Sequence, residues 1–449
     1  MAKLNTKSQM ARTTLVTHEG APAKRIDAVA QLRRSVMACL LWEDQFYENG
    51  EAIADRIAGL VGEVAPETIA AIAIEAREQQ HLRHVPLSLV DALAKSVDPL
   101  RRKVVGATLA RVVQRADELA EFLAIYWREK RQPLAAQVKK GLAQAFTKFT
   151  AYQLAKYNRD EAVKLRDVLF LCHAKPKDDT QAATWKQLVD GTLPPPDTWE
   201  VALSGGADKK ATWERLIQEN ALGGLAFLRN LRNMQTVGVE AALIRQGLAT
   251  LKAERVLPFR FIAAAKYAPA FEPELEAAML RNTAELPKLE GRTVLLVDGS
   301  GSMAAPISAR SDLARMEAAS GLAILLREVC EQVAIWRFDT TPRQVPARRG
   351  FALRDALGFP MGGTYTETAK VAADAAGYDR LVILTDEQSH EALSNPKGLG
   401  YVVNVASYQN GVGYGAWTHI DGWSESIVRY IQAFEVAAPP PQHPTTGQL

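Results

Sequence analysis

The sequence predicts a multi-domain chain in which an all-α helical array precedes an α/β doubly wound domain. Three observations predict this fold class. From about residue 28 to 267, apolar residues recur at spacings of three and four, which is typical of amphipathic helices. From residue 292 onward, short apolar runs alternate with helical patterns, which is typical of a parallel sheet covered by helices. A chain of 449 residues is also long enough for two domains.

The first half has the pattern of many helices of 10–20 residues in succession. Leu109, Val112, Leu119, Leu123 and Tyr126 form one apolar stripe at helical spacing. Short polar or proline breaks separate the helices, for example at Asn49-Gly50, Ala65-Pro66, Asp98-Pro99 and Gln132-Pro133. The sequence contains no repeat of fixed period, so any repeat must be structural and degenerate.

The second half has the pattern of strands and helices in alternation. The predicted strands are 292–298, 333–338, 380–385 and 400–406, and the predicted helices lie near 311–329, 366–376 and 424–436. Because each crossover contains a helix, the strands are expected to run parallel in a doubly wound, Rossmann-like sheet.

A set of oxygen-bearing side chains follows two of these strands. Asp298, Ser300 and Ser302 alternate with small residues on a Gly-rich turn directly after an apolar run. Thr364 lies in a second Gly-rich loop, and Asp386 follows the strand that ends near 385. Ligands bind at the carboxyl ends of the strands in an open parallel sheet, so these five residues are expected to converge. Carboxylate and hydroxyl oxygens suit Mg²⁺, with Mn²⁺ as the other candidate.

The same turn has two alternative interpretations. The segment Gly299–Ala304 fits the dinucleotide fingerprint G-x-G-x-x-[GA], but a pyrophosphate there would lie beside the Asp298 carboxylate, whose charge opposes it. The acidic residue expected about 20 positions further on is also misplaced, because Glu317 lies in a helical pattern and Asp339 comes too late. A purely structural Gly/Ser turn is the other alternative.

Charge is unevenly divided along the chain. The formal net charge is +3, yet residues 1–290 hold 41 Lys and Arg against 35 Asp and Glu, and residues 291–449 hold 13 against 16. The densest basic stretch is 101–148, with 11 basic and 4 acidic residues. Such a run is usually a solvated helix face, so it permits nucleic-acid binding without requiring it.

Composition indicates an ordinary soluble globular protein. No apolar run approaches the roughly 18 residues of a transmembrane helix, and the first 25 residues lack the apolar segment of a secretory signal. Cys39, Cys172 and Cys330 occur singly in apolar surroundings, which favours core thiols in a reducing compartment. We therefore expect a cytoplasmic protein with no membrane partner.

The segment Lys156–Pro176 is the most informative part of the helical half. It contains an amphipathic helix that ends in His-x-Lys-Pro, and five cations lie around that helix end: Lys156, Arg159, Arg166, His173 and Lys175. Such a cluster could hold phosphates, with His173 also available for stacking or hydrogen bonds to bases. The alternative for His173 is an ordinary histidine at a helix end.

Both halves resemble known families. D-x-S-x-S, then G-G-T, then T-D after a strand is similar to the metal-ion-dependent adhesion site of von Willebrand factor A domains, over roughly 290–436. The Lys156–Pro176 segment, with the blocks Leu225–Met234 and Val256–Arg260, resembles TROVE-domain proteins, the Ro autoantigen family. The order of the two domains also matches that family.

The resemblance implies a ring of HEAT-like helical repeats closed by the von Willebrand A-like domain. In that family, single-stranded 3′ ends of structured or misfolded RNAs enter the hole, and small noncoding Y RNAs bind the outer surface. Lys156, Arg159 and His173 fall on positions implicated in Y RNA binding, and Arg166 and Lys175 are basic neighbours. The segment Leu40–Tyr47 departs from the vertebrate-type Gly-rich pattern, so no contact is carried over through it.

The resulting domain prediction divides the chain into four parts. They are a flexible N-terminal arm at 1–24, the TROVE helical-repeat RNA-binding domain at 25–288, the A-like domain with its metal site at 289–437, and a disordered proline-rich tail at 438–449.

We expect a non-catalytic RNA-binding protein of RNA quality control or decay. Its expected partners are Y-like RNA, single-stranded RNA ends and an exoribonuclease, and its expected state is a monomeric ring. No Ser-His-Asp order, paired-carboxylate motif, zinc spacing or phosphate-binding loop predicts catalysis. One alternative is a metal-dependent protein-interaction scaffold, in which the cation recruits a carboxylate. The other is a nuclease or a subunit linked to an ATPase motor.

Overall fold

The computed structural model describes most of the chain. The described residues are 28–37, 50–79, 81–158, 160–196, 198–204, 206–253, 256–284, 286, 288–307, 313–406, 412–413, 415–421 and 426–437. The arm predicted at 1–24, the tail predicted at 438–449, Arg159, Cys39 and the segment Leu40–Tyr47 lie outside them.

The first part of the fold is built from α-helices. They are α1 (Ala28–Met37), α2 (Gly50–Glu63), α3 (Pro66–Glu78), α4 (His84–Lys95), α5 (Pro99–Lys103), α6 (Val105–Val112), α7 (Asp117–Tyr126), α8 (Ala136–Phe146), α9 (Ala151–Tyr157), α10 (Leu165–Cys172), α11 (Asp179–Asp190), α12 (Trp199–Ser204), α13 (Lys209–Gln218), α14 (Gly224–Thr236), α15 (Ala241–Ala249), α16 (Pro258–Tyr267) and α17 (Glu272–Ala284). Helices that are neighbours or next but one along the chain pack on one another, for example α3 on α4, α6 on α8 and α14 on α16, as in a helical-repeat array.

Local signals account for many of these helix ends. Proline is the first residue of α3, α5 and α16, where its missing N–H costs nothing and its fixed φ suits a helix. The carboxylates of Asp178 and Asp208 accept hydrogen bonds from backbone N–H groups in the first turns of α11 and α13. The helix starts predicted at Pro66 and Pro99 are therefore correct.

The second part is an α/β unit. Its elements are β1 (Leu289–Asp298), α18 (Arg315–Val329), β2 (Cys330–Phe338), β3 (Pro342–Gln344), α19 (Gly350–Leu357), α20 (Thr366–Ala376), β4 (Arg380–Thr385), β5 (Leu399–Asn404), β6 (Trp417–Asp421) and α21 (Ser426–Ala437). The strand order is β3-β2-β1-β4-β5-β6, and every pair is parallel except β2 with β3. All four predicted strands are present, whereas β3, β6 and α19 were not predicted.

Helices cover both faces of this sheet. Alternate residues of the strands divide between two apolar clusters, so that Leu295 and Val297 of β1 face the side of α18 and α21, and Val294 and Leu296 face the side of α20. This alternation follows from the two-residue period of a strand, and it explains why β1 is apolar at successive positions. The doubly wound prediction is confirmed.

The helical part and the α/β part share one core. Apolar residues from Trp213 to Ile431 form a single cluster, which joins α13–α17 to the sheet and to α18. The earlier helices, from Leu32 to Leu188, form a separate cluster. At the other end, α1 packs against β6, so the helical part contacts the α/β unit at both of its ends. The chain therefore closes on itself.

Helix α18 is the centre of the shared core. Of its 15 residues, 13 are buried, because it packs on β1 on one side and on α16, α17 and α19 on the other. Gly321 permits the approach of α16, since a Cβ there would lie 2.8 Å from the Cβ and N of Phe259. A polar contact adds to the junction, because the backbone N of Phe351 donates to Oε1 of Glu276 at 2.7 Å.

Two other features bear on the sequence expectations. Cys172 and Cys330 are unpaired and buried, and burial raises the pKa of both thiols. Within the described ranges, every helix is too short or too polar to span a lipid bilayer.

We expect Gly321→Ala to lower the free energy of unfolding by about 1–3 kcal/mol, because the added methyl overlaps the backbone of Phe259. The matched control is Gly59→Ala in α2, where the new methyl meets no atom within 4 Å. That control should gain up to about 1 kcal/mol from helix propensity. Urea denaturation of the full chain measures both changes. Equal stabilisation by the two substitutions would contradict the proposed packing.

Candidate metal centre and nucleic-acid interface

The five predicted metal ligands lie at the carboxyl edge of the sheet. Asp298 is the last residue of β1, and Asp386 directly follows β4. Thr364 lies in the loop before α20. Asp298, Ser300, Thr364 and Asp386 are buried, and Ser302 is half-buried.

Hydrogen bonds fix the turn after β1. Oδ1 of Asp298 accepts from the backbone N of Ser300 at 2.9 Å, which is a local turn typical of Asp. The hydroxyl oxygens of Ser300 and Ser302 are 3.2 Å apart. Oδ2 of Asp298 accepts from the Thr385 hydroxyl at 2.6 Å, and that hydroxyl accepts from the backbone N of Glu387 at 3.0 Å. The ends of β1 and β4 are thereby joined.

Backbone contacts bring the Thr364 loop to the same edge. The N of Gly301 donates to the O of Gly362 at 3.1 Å, and the N of Met361 donates to the O of Gly299 at 2.8 Å. The O of Thr364 accepts from the N of His390, in the segment after β4, at 3.0 Å. Three segments that are distant in sequence thus meet around Asp298.

Arg315 is a residue of this site that the sequence analysis missed. It is the first residue of α18, and its Nη1 lies 3.0 Å from Oδ2 of Asp386 in a buried ion pair. The same nitrogen lies 3.5 Å from the carbonyl of Ser302. No local pattern marks Arg315, because its role depends on where α18 packs. The guanidinium balances part of the negative charge that the two buried carboxylates bring to this edge.

The electrostatics and the donor set fit a small divalent cation. Burial, and then the neighbouring Asp386 carboxylate, raise the pKa of Asp298 well above its usual range. A cation would relieve both effects. Two adjacent ligands of octahedral Mg²⁺ at about 2.1 Å lie about 3 Å apart, close to the separation of the two serine hydroxyls.

The candidate ligands around Asp298 differ from a metal site that is built from three or more His, Cys, Asp or Glu side chains. Among the residues that the structure describes, no group of three or more His, Cys, Asp and Glu side chains could hold a metal. The site at Asp298 has two carboxylates and takes its other protein oxygens from hydroxyls. It therefore fits Mg²⁺ or Mn²⁺ better than a soft metal such as zinc.

The predicted RNA-binding residues that the structure describes lie on two helices, Lys156 on α9 and the others on or next to α10. Lys156 is exposed on α9, and its Nζ lies 5.9 Å and 5.8 Å from the ring centroids of Tyr152 and Tyr157. The guanidinium of Arg115 lies 4.6 Å from the Tyr157 ring. Cations and aromatic rings therefore alternate on this part of the surface.

The second group lies along α10. Arg166, Phe170 and His173 occupy one exposed face at spacings of four and three residues, and Lys175 follows the helix end. His173 has φ of 55° and is the C-cap, so it is a helix-end histidine whose side chain remains exposed. Phe170 is 59% exposed and was not predicted, although its helical spacing from Arg166 could have indicated it.

Much of the basic stretch 101–148 has a structural role. The guanidinium of Arg101 donates to the carbonyls of Val61, Gly62 and Val64 at the end of α2. The ammonium of Lys148 likewise donates to carbonyls at the end of α6, and burial lowers its pKa. Because such cations already have partners, the charge count of this stretch overstates what it offers to RNA.

A basic groove between α14 and α16 is a better candidate interface. The groove has a volume of about 350 Å³ and is lined by Leu225, Leu228, Arg229, Leu231, Arg232, Asn233, Arg260, Ala263, Ala264 and Tyr267. The guanidinium of Arg232 lies 5.5 Å from the centroid of the Tyr267 ring. The two helices carry three Arg and one Lys and contain no acidic residue. The groove brings together residues of the two sequence blocks that carry the family resemblance, Leu225–Met234 and Val256–Arg260.

Comparisons with known proteins agree with this architecture. The family model of the TROVE domain matches residues 4–192 and 190–294. The crystal structure of the Deinococcus radiodurans Ro (Rsr) protein is similar to this chain with a TM-score of 0.64 and 19% sequence identity. The similarity covers 91% of this chain and 99% of that chain, which confirms the predicted helical ring with an α/β domain.

A curated relative matches a shorter segment. Telomerase protein component 1 of Mus musculus is 36% identical over 88 residues, which are 18% of this chain. The matched region spans 3% of that protein's length, so the similarity concerns only a small part of that protein.

We expect Asp298→Ala and Thr364→Ala each to abolish uptake of Mg²⁺ or Mn²⁺, because each removes an oxygen from the proposed ligand set. The affinity for RNA should barely change. The control is Thr368→Ala, since the Thr368 hydroxyl is exposed and donates to Glu391. Calorimetric titration with MnCl₂ measures uptake, and undiminished heat in either variant would remove that residue from the site.

Proposed function

We propose that this chain, which belongs to the TROVE-domain family, is a non-catalytic RNA-binding protein of RNA quality control or decay. Membership of that family implies RNA binding. The chain binds small noncoding Y-like RNA on the outer surface of the ring and single-stranded 3′ ends of structured or misfolded RNA in the hole. It acts in the cytoplasm as a monomeric ring, and an exoribonuclease joins the complex.

The groove between α14 and α16 carries this proposal. Single-stranded nucleic acid is bound by cations that follow the phosphates and by aromatic rings on which bases stack. The groove provides Arg229, Arg232 and Arg260 for phosphates and the 41% exposed Tyr267 for a base. Since α14 and α16 contain no carboxylate, phosphates meet little opposing charge from these helices.

The surface of α9 and α10 supports binding of a folded RNA. Arg166 lies near the start of α10, His173 caps its end and Lys175 follows, and Lys156 adds a cation from the preceding helix. Phosphate contacts along such a strip would position a structured RNA, while exposed Phe170 offers a stacking surface for an unpaired base. We assign Arg159 to the same surface on the resemblance of its motif.

The metal site has a supporting role in this proposal. Asp298, Ser300, Ser302, Thr364 and Asp386 would hold Mg²⁺ or Mn²⁺, and the ion would offer a coordination position to an oxygen from outside the chain. This site is the reason to keep a second candidate function, a metal-dependent scaffold that docks a protein partner. The loop that carries Thr364 also carries the exposed apolar side chains of Phe359 and Met361, and such a surface favours the second candidate.

We expect the triple substitution Arg229→Ala, Arg232→Ala and Arg260→Ala to weaken binding of a fluorescent oligouridylate at least tenfold. The slope of log K against log salt should fall by about 2, since each phosphate contact contributes about 0.7. Fluorescence anisotropy over a salt series measures both quantities.

The control replaces three exposed cations that pair with carboxylates elsewhere in the helical part, Lys186, Arg215 and Arg245, by alanine. It changes the net charge equally and should leave the slope almost unchanged. Equal losses in the two triple variants would mean that overall charge, and not the groove, binds the strand. A full-length protein with no salt dependence would contradict RNA binding itself.

We expect Lys156→Ala with Arg159→Ala, and separately His173→Ala, to weaken binding of a structured small RNA several-fold while the fold stays intact. The oligouridylate should bind these variants normally, because its groove is untouched. Gel-shift titrations compare them with a double control, Lys186→Ala with Arg215→Ala. Unchanged affinity for the structured RNA would exclude the α9–α10 surface.

A further inference from the structure

A cavity between α13, α14 and α15 lies apart from the sites described above. Its volume is about 430 Å³, within the range of about 300–1,000 Å³ that is typical of small-ligand sites. Four buried apolar side chains form its wall: Leu216, Ile217, Phe227 and Leu251. Three exposed polar residues also line it: Asn220, Thr250 and Lys252. An apolar interior with a few polar groups is the general form of a ligand pocket.

Hydrogen bonds fix the polar side of this cavity. Asn220 ends α13 in the left-handed conformation, with φ of 50°, and the N of Ala221 donates to the O of Leu216 at 2.9 Å. The Thr250 hydroxyl donates to Oδ1 of Asn220 at 3.3 Å. This contact joins the end of α13 to the end of α15, so the Asn220 amide has a defined position.

The backbone that carries Lys252 is fixed as well. Asn282 of α17 accepts from the N of Ala253 at 2.8 Å, and its Nδ2 donates to the O of Leu251 at 3.3 Å. Gly224, the first residue of α14, permits a close approach, since a Cβ there would lie 2.5 Å from the carbonyl oxygen of Lys252. Lys252 is therefore held beside the start of α14.

The polar groups of the cavity match the chemistry of an unpaired nucleotide. Oδ1 of Asn220 has a second lone pair, and no group in the described part of the chain accepts from its Nδ2. The amide thus presents a donor beside an acceptor, and an unpaired base presents the complementary pair on its Watson–Crick edge. Lys252, for which the structure describes no carboxylate partner, suits a phosphate.

The cavity is continuous with the groove between α14 and α16. The two lie on opposite sides of α14, where Phe227 lines the cavity and Leu228 lines the groove. At the start of the helix, Gly223 lines the cavity and Leu225 lines the groove. The Cα atoms of these two residues are at most roughly 7 Å apart. A strand in the groove can therefore extend over the start of α14 and place its next nucleotide at the cavity.

We propose that this cavity binds one unpaired nucleotide of the RNA strand that occupies the groove. Asn220 binds the edge of the base, the apolar wall covers its faces, and Lys252 binds the phosphate. The inference rests on the proposed function and adds a means of selecting the RNA. Because pairing occupies the Watson–Crick edge, the cavity accepts an unpaired nucleotide of any sequence and rejects a paired one.

The test uses the full chain and a fluorescein-labelled RNA hairpin with a single-stranded 3′ tail of uridines, whose stem fixes the register. Each tail position is replaced in turn by 3-methyluridine, which loses the donor of the edge, or by 5-methyluridine, which keeps the edge intact. Fluorescence anisotropy should find one position at which 3-methyluridine weakens binding about tenfold. At that position 5-methyluridine should bind as uridine does.

The variant Asn220→Gly isolates the amide. Glycine adopts the left-handed backbone without strain, and the Thr250 hydroxyl keeps the carbonyl of Gln246 as an acceptor at 3.3 Å, so the variant should fold. It should bind the uridine tail several-fold more weakly and should bind the 3-methyluridine and 5-methyluridine tails alike.

The variant Lys252→Ala isolates the phosphate contact. The slope of log K against log salt should fall by about 0.7. The matched control is Lys209→Ala, which removes an exposed cation at the other end of α13 and should leave the slope unchanged.

Two outcomes would overturn the proposal. The first is a tail on which 3-methyluridine and 5-methyluridine act alike at every position of the unaltered chain's ligand. The second is a sensitive position that persists in Asn220→Gly, which would mean that another residue contacts the edge. Either result with the salt slope intact removes the cavity alone, whereas no salt-dependent binding of the tail would remove the proposed function and the cavity together.

Discussion

The burial of α18 on almost all sides is the constraint on which the rest of the structure depends. One side of the helix covers the sheet, and the other receives α16, α17 and α19. Such a helix has little polar surface of its own, so it is stable only when both parts of the chain are in place. The close approach of Phe259 to Gly321 lets α16 pack directly on α18 at this junction.

The position of α18 also determines the charge at the candidate metal site. Arg315 is its first residue, so packing of the helix brings a guanidinium to Asp386. Arg337 acts in a similar way from β2, where its three carbonyl contacts hold the turn after β1 against the loop between α19 and α20. The two arginines order the edge of the sheet on which the proposed metal ligands lie. The geometry of this edge is thus coupled to the integrity of the shared core.

The predictable features are those encoded over a few neighbouring residues. The four long strands, the helix starts at Pro66 and Pro99, and the placement of Asp298 at the end of β1 and of Asp386 directly after β4 all follow from local patterns. The elements that escaped prediction have weak local patterns. Strand β3 has three residues and pairs only at the edge, and the eight residues of α19 include Gly350 with φ of 55°, whose start is capped by Glu276 from a distant helix.

The sequence by itself determined the family and the two kinds of domain and predicted a set of oxygen ligands for a metal, because periodicity and motif spacing are local properties of the chain. Tertiary structure decided where the cations lie. Arg101 and Lys148 cap helices, whereas Arg229 and Arg260 come together from separate blocks to line one groove. It also placed Arg315 and the loop 358–365 at the candidate metal site. These assignments depend on contacts between residues far apart in sequence, which composition and spacing do not encode.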